Sequence, residues 1–272
     1  MVFLPNGTIW RCLLVEREHQ IKKRQEAKHM KILAIAIQKG GTGKTTTAAA
    51  LSQAAHYNGK RVLGIDLDPQ GNFTFAMGAN SAAGNSYDLL NETPAAELIQ
   101  EIEPGLDMIA ASWNLSTETT GNGSATRLKR ALEPLKKSYD LIILDTPATA
   151  GELQYNAIYA ATDLIIPLEA DIYNLQSLYQ IVETAQQIQR DNNKFAISFI
   201  ITKLDNRSTL ARTMQEKIIV AANDIGVKYL GSVKKGVVIQ EAAALQRNLY
   251  RYAPGSKTAQ DYINILAAGK FI

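Results

Sequence analysis

Met30-Lys31-Ile32-Leu33-Ala34-Ile35-Ala36-Ile37 runs into Gln38-Lys39-Gly40-Gly41-Thr42-Gly43-Lys44-Thr45-Thr46, and after Thr47 comes AAALSQAAHYNG, residues 48–59. The first part is an apolar run of strand length, the second a glycine cluster, and the third a helix-forming segment that stops at Gly59. Glycines let successive backbone N–H groups turn inward around phosphate oxygens, and the following helix points its positive end at the same anion. This order predicts a phosphate-binding loop made of Lys39, Gly40, Gly41, Thr42, Gly43, Lys44, Thr45 and Thr46. In such a loop Lys44 reaches the β and γ phosphates and the Thr45 hydroxyl binds Mg2+. The ordinary pattern G-x-x-x-x-G-K-[ST] would place a glycine at position 38; here Gln38 stands there, followed by the extra lysine, Lys39. Two lysines in one loop suit a cluster of phosphate charge neutralised from both sides, each Lys39 reaching the nucleotide of a second subunit.

Outward from the loop, RVLGID, LDMIAA, DLIILD, DLIIPLE, FAISFIIT and VKYLGSV alternate with segments of helical spacing. That alternation predicts an α/β fold: a single domain over residues 30–272 with a mostly parallel, twisted sheet and helices on both faces. The stretch NSAAGNSYDLLNETPAAE, residues 80–97, reads as a mobile insertion with a short helix of its own. In a sheet of this kind ligands gather beyond the carboxyl ends of the strands, so acids just after each strand carry the chemistry. RVLGID opens into Asp66-Leu67-Asp68-Pro69-Gln70-Gly71-Asn72, where alternation sets Asp66 and Asp68 on one side and Pro69 with Gly71 bends the chain. One of these carboxylates orders the metal shell or the phosphate loop while the other holds an attacking water; taken alone, the motif is also an ordinary turn with two solvated acids. A third acid, Asp145, closes Leu141-Ile142-Ile143-Leu144 and has the placement of a carboxylate that binds Mg2+ through water.

Composition narrows the class. A single cysteine, Cys12, excludes a disulfide framework, a CxxC pair and a cysteine-built metal site within one chain, which fits a reducing cytoplasm. No run approaches the ~20 apolar residues that span a bilayer, and the first residues lack the marks of a cleaved leader. Residues 1–29 hold six basic side chains (Arg11, Arg17, Lys22, Lys23, Arg24, Lys28) against three acidic ones (Glu16, Glu18, Glu26), leaving 23 of each sign in the body. Any nucleic-acid contact must therefore come from a local patch, not from the summed field. The segment 1–29 reads as an appendage: either a start assigned too early, with Met30 the working start, or a basic tail for DNA, membrane or a partner.

The motifs QKGGTGKTTT, GKRVLGIDLDPQGN, YDLIILDTP, ATDLIIPLEADIYNLQSL and EAAALQRNLYRYAPGSKTAQDY together span nearly all of residues 30–265. In order and spacing the chain resembles the ParA/MinD group of phosphate-loop ATPases with a deviant Walker A motif, and within it the ParA-type partition proteins. The resemblance implies a cytoplasmic, nucleoid-associated switch: ATP with Mg2+ closes a homodimer, the dimer binds DNA without sequence preference, and a ParB-like centromere-binding partner stimulates hydrolysis. It implies Lys39 acting across the dimer, Lys44 on the phosphates, Thr45 on Mg2+, Asp68 positioning the water and Asp145 as the second acid on the metal side. DNA contacts in that family point to Arg207 and Lys235 here, with Lys234, Arg247 or Arg251 filling in for Val238, which stands at a further basic position. Ala148 replaces a second proline usual after Pro147, and Ile37 an asparagine usual before Gln38. Iron–sulfur relatives are excluded by the lack of cysteines, and the short carboxyl end DYINILAAGKFI argues against a MinD-like membrane helix. A positioning ATPase for a protein cargo would show the same nucleotide motifs.

Overall fold

The computed structural model describes residues 30–117, 126–191 and 195–272; the appendage of residues 1–29 lies outside them. Eight strands form one sheet: β1 Lys31–Ile35, β2 Val62–Asp66, β3 Gln100–Glu103, β4 Leu106–Ile109, β5 Leu141–Asp145, β6 Asp163–Glu169, β7 Ala196–Leu204 and β8 Lys228–Lys234. Their order across the sheet is β3-β4-β2-β5-β1-β6-β7-β8, parallel throughout except for the β3–β4 pair. The helices are α1 Lys44–Tyr57, α2 Asn72–Met77, α3 Ser86–Leu90, α4 Ala95–Leu98, α5 Arg127–Leu132, α6 Glu152–Ala160, α7 Tyr173–Asp191, α8 Thr209–Asp224, α9 Val238–Ala244, α10 Leu249–Tyr252 and α11 Lys257–Gly269.

Strand periodicity explains why both faces are covered. Leu33, Ile35, Leu141 and Ile143 pack with α1, α2 and α11, while Ile32, Ala34, Ile142 and Leu144 pack with α6, α7 and α8. Continuous apolar strands are the mark of a sheet buried on both sides. Alanines at 48, 49, 50, 54 and 55 let α1 lie close to the sheet, all of them buried. Gly64 in β2 is required by packing: a Cβ there would stand 2.7 Å from Met108 Sδ and 2.7 Å from Phe73 Cζ.

Residues 80–97 carry the expected short helix, α3, and most of a second, α4, and pack down on the core. Asn85 caps α3 by accepting from the amides of Tyr87 and Asp88, and Leu89, Leu90 and Leu98 are buried in the core. The Ser86 hydroxyl, itself buried, donates to the Asp66 carbonyl at 2.6 Å. The segment is thus a strap that secures the end of β2. Strand β3 is the other surprise, an edge strand of sequence QEIE turned back on β4 through Pro104-Gly105.

Register brings the motifs together. Ile35 pairs with Asp145 across β1–β5, and Asp66 pairs with Asp145 across β2–β5, so three strand ends stand level beneath the loop that follows β1. Leu67 N–H donates to the Asp145 carbonyl and the Thr146 hydroxyl to the Ile35 carbonyl, at 3.0 and 2.9 Å, locking these ends to one another. Among the described residues no helix is long and apolar enough to cross a membrane.

Candidate nucleotide site

The loop between β1 and α1 adopts the conformation its glycines permit. Gly41 and Gly43 have φ of 78° and 89°, the left-handed region that side chains disfavour, and Gly43 stands at the amino end of α1. Lys44 is buried, and its ammonium donates to the Lys39 carbonyl at 2.9 Å across the loop. Burial lowers the Lys44 pKa, while Asp145 and Asp68 pull it back toward the charged form. Lys39 is part-exposed, and among the described residues its ammonium has neither hydrogen bond nor ion pair. The loop is held from behind by Thr202, whose hydroxyl donates to the Thr42 carbonyl at 2.8 Å, with the Leu168 carbonyl at 3.2 Å as the alternative acceptor.

The two strand-end acids at positions 66 and 145 differ sharply. Asp66 is fully buried, but one oxygen accepts from the Thr74 amide and hydroxyl, both at 2.8 Å, and the other from the Asp68 amide at 3.0 Å. Its carboxylate is committed to the turn that carries Asp68 and to the first turn of α2. Asp66, expected on the metal side, has both oxygens engaged in holding the segment after β2. Burial still outweighs the three hydrogen bonds and raises its pKa to about 6.

Asp145 is equally buried, and neither of its oxygens makes a hydrogen bond of good geometry; the Thr45 hydroxyl lies only near enough to favour its charged form. Burial pushes its pKa well above the usual carboxylate range and neighbouring Asp66 adds to this; the Thr45 hydroxyl and Lys44 act the other way. A buried carboxylate without a partner is costly, because it has lost water and gained nothing in return. Together with the Thr45 hydroxyl it offers hard oxygen donors, the set that suits Mg2+. Among the described residues there is no group of three or more His, Cys, Asp or Glu side chains that could hold a metal ion.

Asp68 lies part-exposed at the rim, with Oδ1 accepting from the Gln70 amide at 3.0 Å and Gly71 N–H closing the turn on its carbonyl at 2.9 Å. Thr45 and Thr46 border a groove of about 320 Å³ between α1, α2 and α9 that also reaches Phe75 and Arg247.

The basic residues singled out from the sequence do not form one patch. Arg207, at the end of β7, is bound by its own neighbour: Nε and Nη2 donate to the two Asp205 oxygens, each at 3.0 Å. Lys234 and Lys235 are exposed at the end of β8, and Lys235 N–H donates to the Leu204 carbonyl, which places them beside that pair. Arg251 pairs with Glu103 of β3 at 2.9 Å, at the opposite edge of the sheet. Thr74, Ser86 and Thr202 were invisible as site residues in the sequence; lone hydroxyls carry no pattern, and only the fold shows what they hold.

The model of a family described as an AAA domain matches residues 30–197, which contain the loop and all three acids. The sporulation initiation inhibitor protein Soj of Bacillus subtilis is 35% identical over 247 residues, covering 86% of this chain and 96% of that protein. The chromosome partitioning protein ParA of Caulobacter vibrioides is 31% identical, covering 88% and 93%. A putative plasmid partition protein from Borrelia burgdorferi bound to AMPPNP superposes with a TM-score of 0.77 at 25% identity, covering 88% of this chain and 98% of that one. Sequence identity spread over almost the whole length of these relatives, on a fold that brings the same motifs to one sheet end, makes this chain a member of the ParA/Soj family of partition ATPases.

Proposed function

We propose that this chain is an ATP-hydrolysing switch that closes into a homodimer on ATP, binds DNA without sequence preference and drives plasmid or chromosome partition with a ParB-like partner. The observation that carries this reading is the buried, unpartnered carboxylate of Asp145 beside Thr45 and Lys44. A folded protein keeps such a group when a ligand supplies its missing partner. Thr45 and Asp145 would hold Mg2+, which when bound supplies positive charge to the β and γ oxygens of ATP.

The chain's own residues account for the rest. The loop amides cradle the phosphates, and Lys44 exchanges the Lys39 carbonyl for phosphate oxygens. Asp68, on a turn fixed by Asp66, accepts a hydrogen bond from the water that attacks the γ phosphate and so orients it. The unpaired ammonium of Lys39 reaches the nucleotide of a second copy, where it neutralises charge that one subunit alone leaves exposed. Hydrolysis removes that charge and loosens the dimer.

In this reading the protein is cytoplasmic and nucleoid-associated, with DNA contacts from Lys234, Lys235 and Arg207 at one sheet edge and from Arg247 apart from them, in the groove between α1, α2 and α9. DNA binding by the purified protein with ATP, with ADP and with neither tests it. Binding that requires ATP and falls steeply with salt is expected; equal binding in all three states contradicts it.

A further inference from the structure

We propose that Lys203 is a positioning residue of the phosphate site, a latch that holds the Gly41 peptide in the orientation that ATP requires. Strand β7 loses register with β8 between Ile201 and Leu204, and within that irregularity Lys203 takes a φ of 51°. A lysine is disfavoured in the left-handed region, and irregularities of this kind re-aim a side chain next to a site. Here the ammonium is aimed at the phosphate loop. It donates to the Gly41 carbonyl and, at 2.7 Å, to Oε1 of Glu169, the last residue of β6.

The loop needs such a hold. A Cβ built at Gly40 or at Gly41 would meet nothing within 4 Å, so packing does not fix these two peptides. Phosphate binding requires the amides to face the anion and the carbonyls to face away, since a carbonyl oxygen turned inward would repel it. Three side-chain donors secure that arrangement from outside: Lys44 on the Lys39 carbonyl, Lys203 on the Gly41 carbonyl and Thr202 on the Thr42 carbonyl. Lys44 leaves its carbonyl when phosphate arrives. Lys203 and Thr202 stay, and Glu169 keeps the Lys203 ammonium from following the anion.

The Lys203 and Glu169 side chains are 45% and 38% exposed, so the pair adds little to global stability. Its effect belongs to the loop. The inference rests on the reading of this loop as an ATP site, and the test separates the two. Affinity for a non-hydrolysable ATP analogue is measured with Mg2+ in wild type, Lys203→Met and Lys203→Arg, alongside amide exchange of residues 40–43 and the melting temperature without nucleotide. Lys203→Met is expected to bind about five- to tenfold more weakly, the scale of one charge-assisted hydrogen bond. Its loop amides should exchange faster while the melting temperature stays unchanged, and Lys203→Arg should recover part of the affinity. Should Lys203→Met fail to fold, Glu169→Gln carries the test through the same affinity and exchange readouts, with a weaker effect of the same sign. Wild-type binding with equal affinity and equal loop exchange in the variants overturns the latch and leaves the site intact. No binding by the wild type overturns both.

Discussion

Asp145 and Asp205 follow the same rule of placement, each closing or following a strand on the sheet's ligand side, and they live in opposite environments. Asp145 is buried and unpartnered, and that burial, with Asp66 beside it, raises its pKa well above the usual range. Asp205 is exposed and gripped by Arg207, which lowers its pKa to about 2. At β7 the chain satisfies its charge internally. At β5 it leaves one open, and an open buried charge is where a ligand is missing. The contrast teaches that an acid at a strand end is common, whereas one that is buried without a partner beside a phosphate loop is a candidate for binding a ligand.

The contrast can be attacked at several points. Lys44→Ala removes the only buried cation of the phosphate loop and is expected to weaken ATP binding at least ~100-fold, about 2.7 kcal/mol, as read by calorimetry; unchanged affinity would take the phosphates away from this loop. Asp145→Asn should cut turnover by roughly 100-fold yet raise the melting temperature of the nucleotide-free protein by a few degrees, about 1–2 kcal/mol, because it removes an unpartnered buried charge. A lower melting temperature would mean that Asp145 already has its partner without nucleotide.

Asp66 predicts a pH effect of definite sign. Its pKa is about 6 when folded, above the ordinary 3.8, so the folded chain binds the extra proton between these values. The contribution is fully present below the unfolded pKa and is lost as pH rises through about 6. Denaturant titrations of wild type and Asp66→Asn from pH 4 to pH 7 should therefore differ by a term that declines with rising pH; a difference that grows with pH would reverse the assignment. The smallest effect is expected of Arg207→Ala, whose exposed pair with Asp205 should leave the melting temperature within about 1 °C of wild type. A drop as large as that of a core substitution would show that the pair supports β7.

Much of this was legible in the sequence. The apolar runs at 31–35, 62–66 and 141–145 declare their strands because both faces are buried, and the glycine loop declares its ligand. Strand β3 was not legible, since QEIE carries two acids and one apolar residue, and its pairing depends on β4 lying alongside. Residues 80–97 read as mobile because Asn, Ser and Gly take six of their eighteen positions; the bond from Ser86 to the Asp66 carbonyl exists only once the chain has folded. Asp66 and Asp145 read alike as acids at strand ends. What separates them is Thr74, eight residues beyond Asp66, which occupies one carboxylate and has no counterpart at the other.

Lys39 acting on a triphosphate held by a second copy is open to sedimentation with ATP, in an Asp68→Ala background that keeps the nucleotide intact. A dimer is expected that returns to monomer on adding Lys39→Ala, with ATP affinity changed by less than about tenfold. A dimer that persists without Lys39, or a monomer when Lys39 is present, would contradict it.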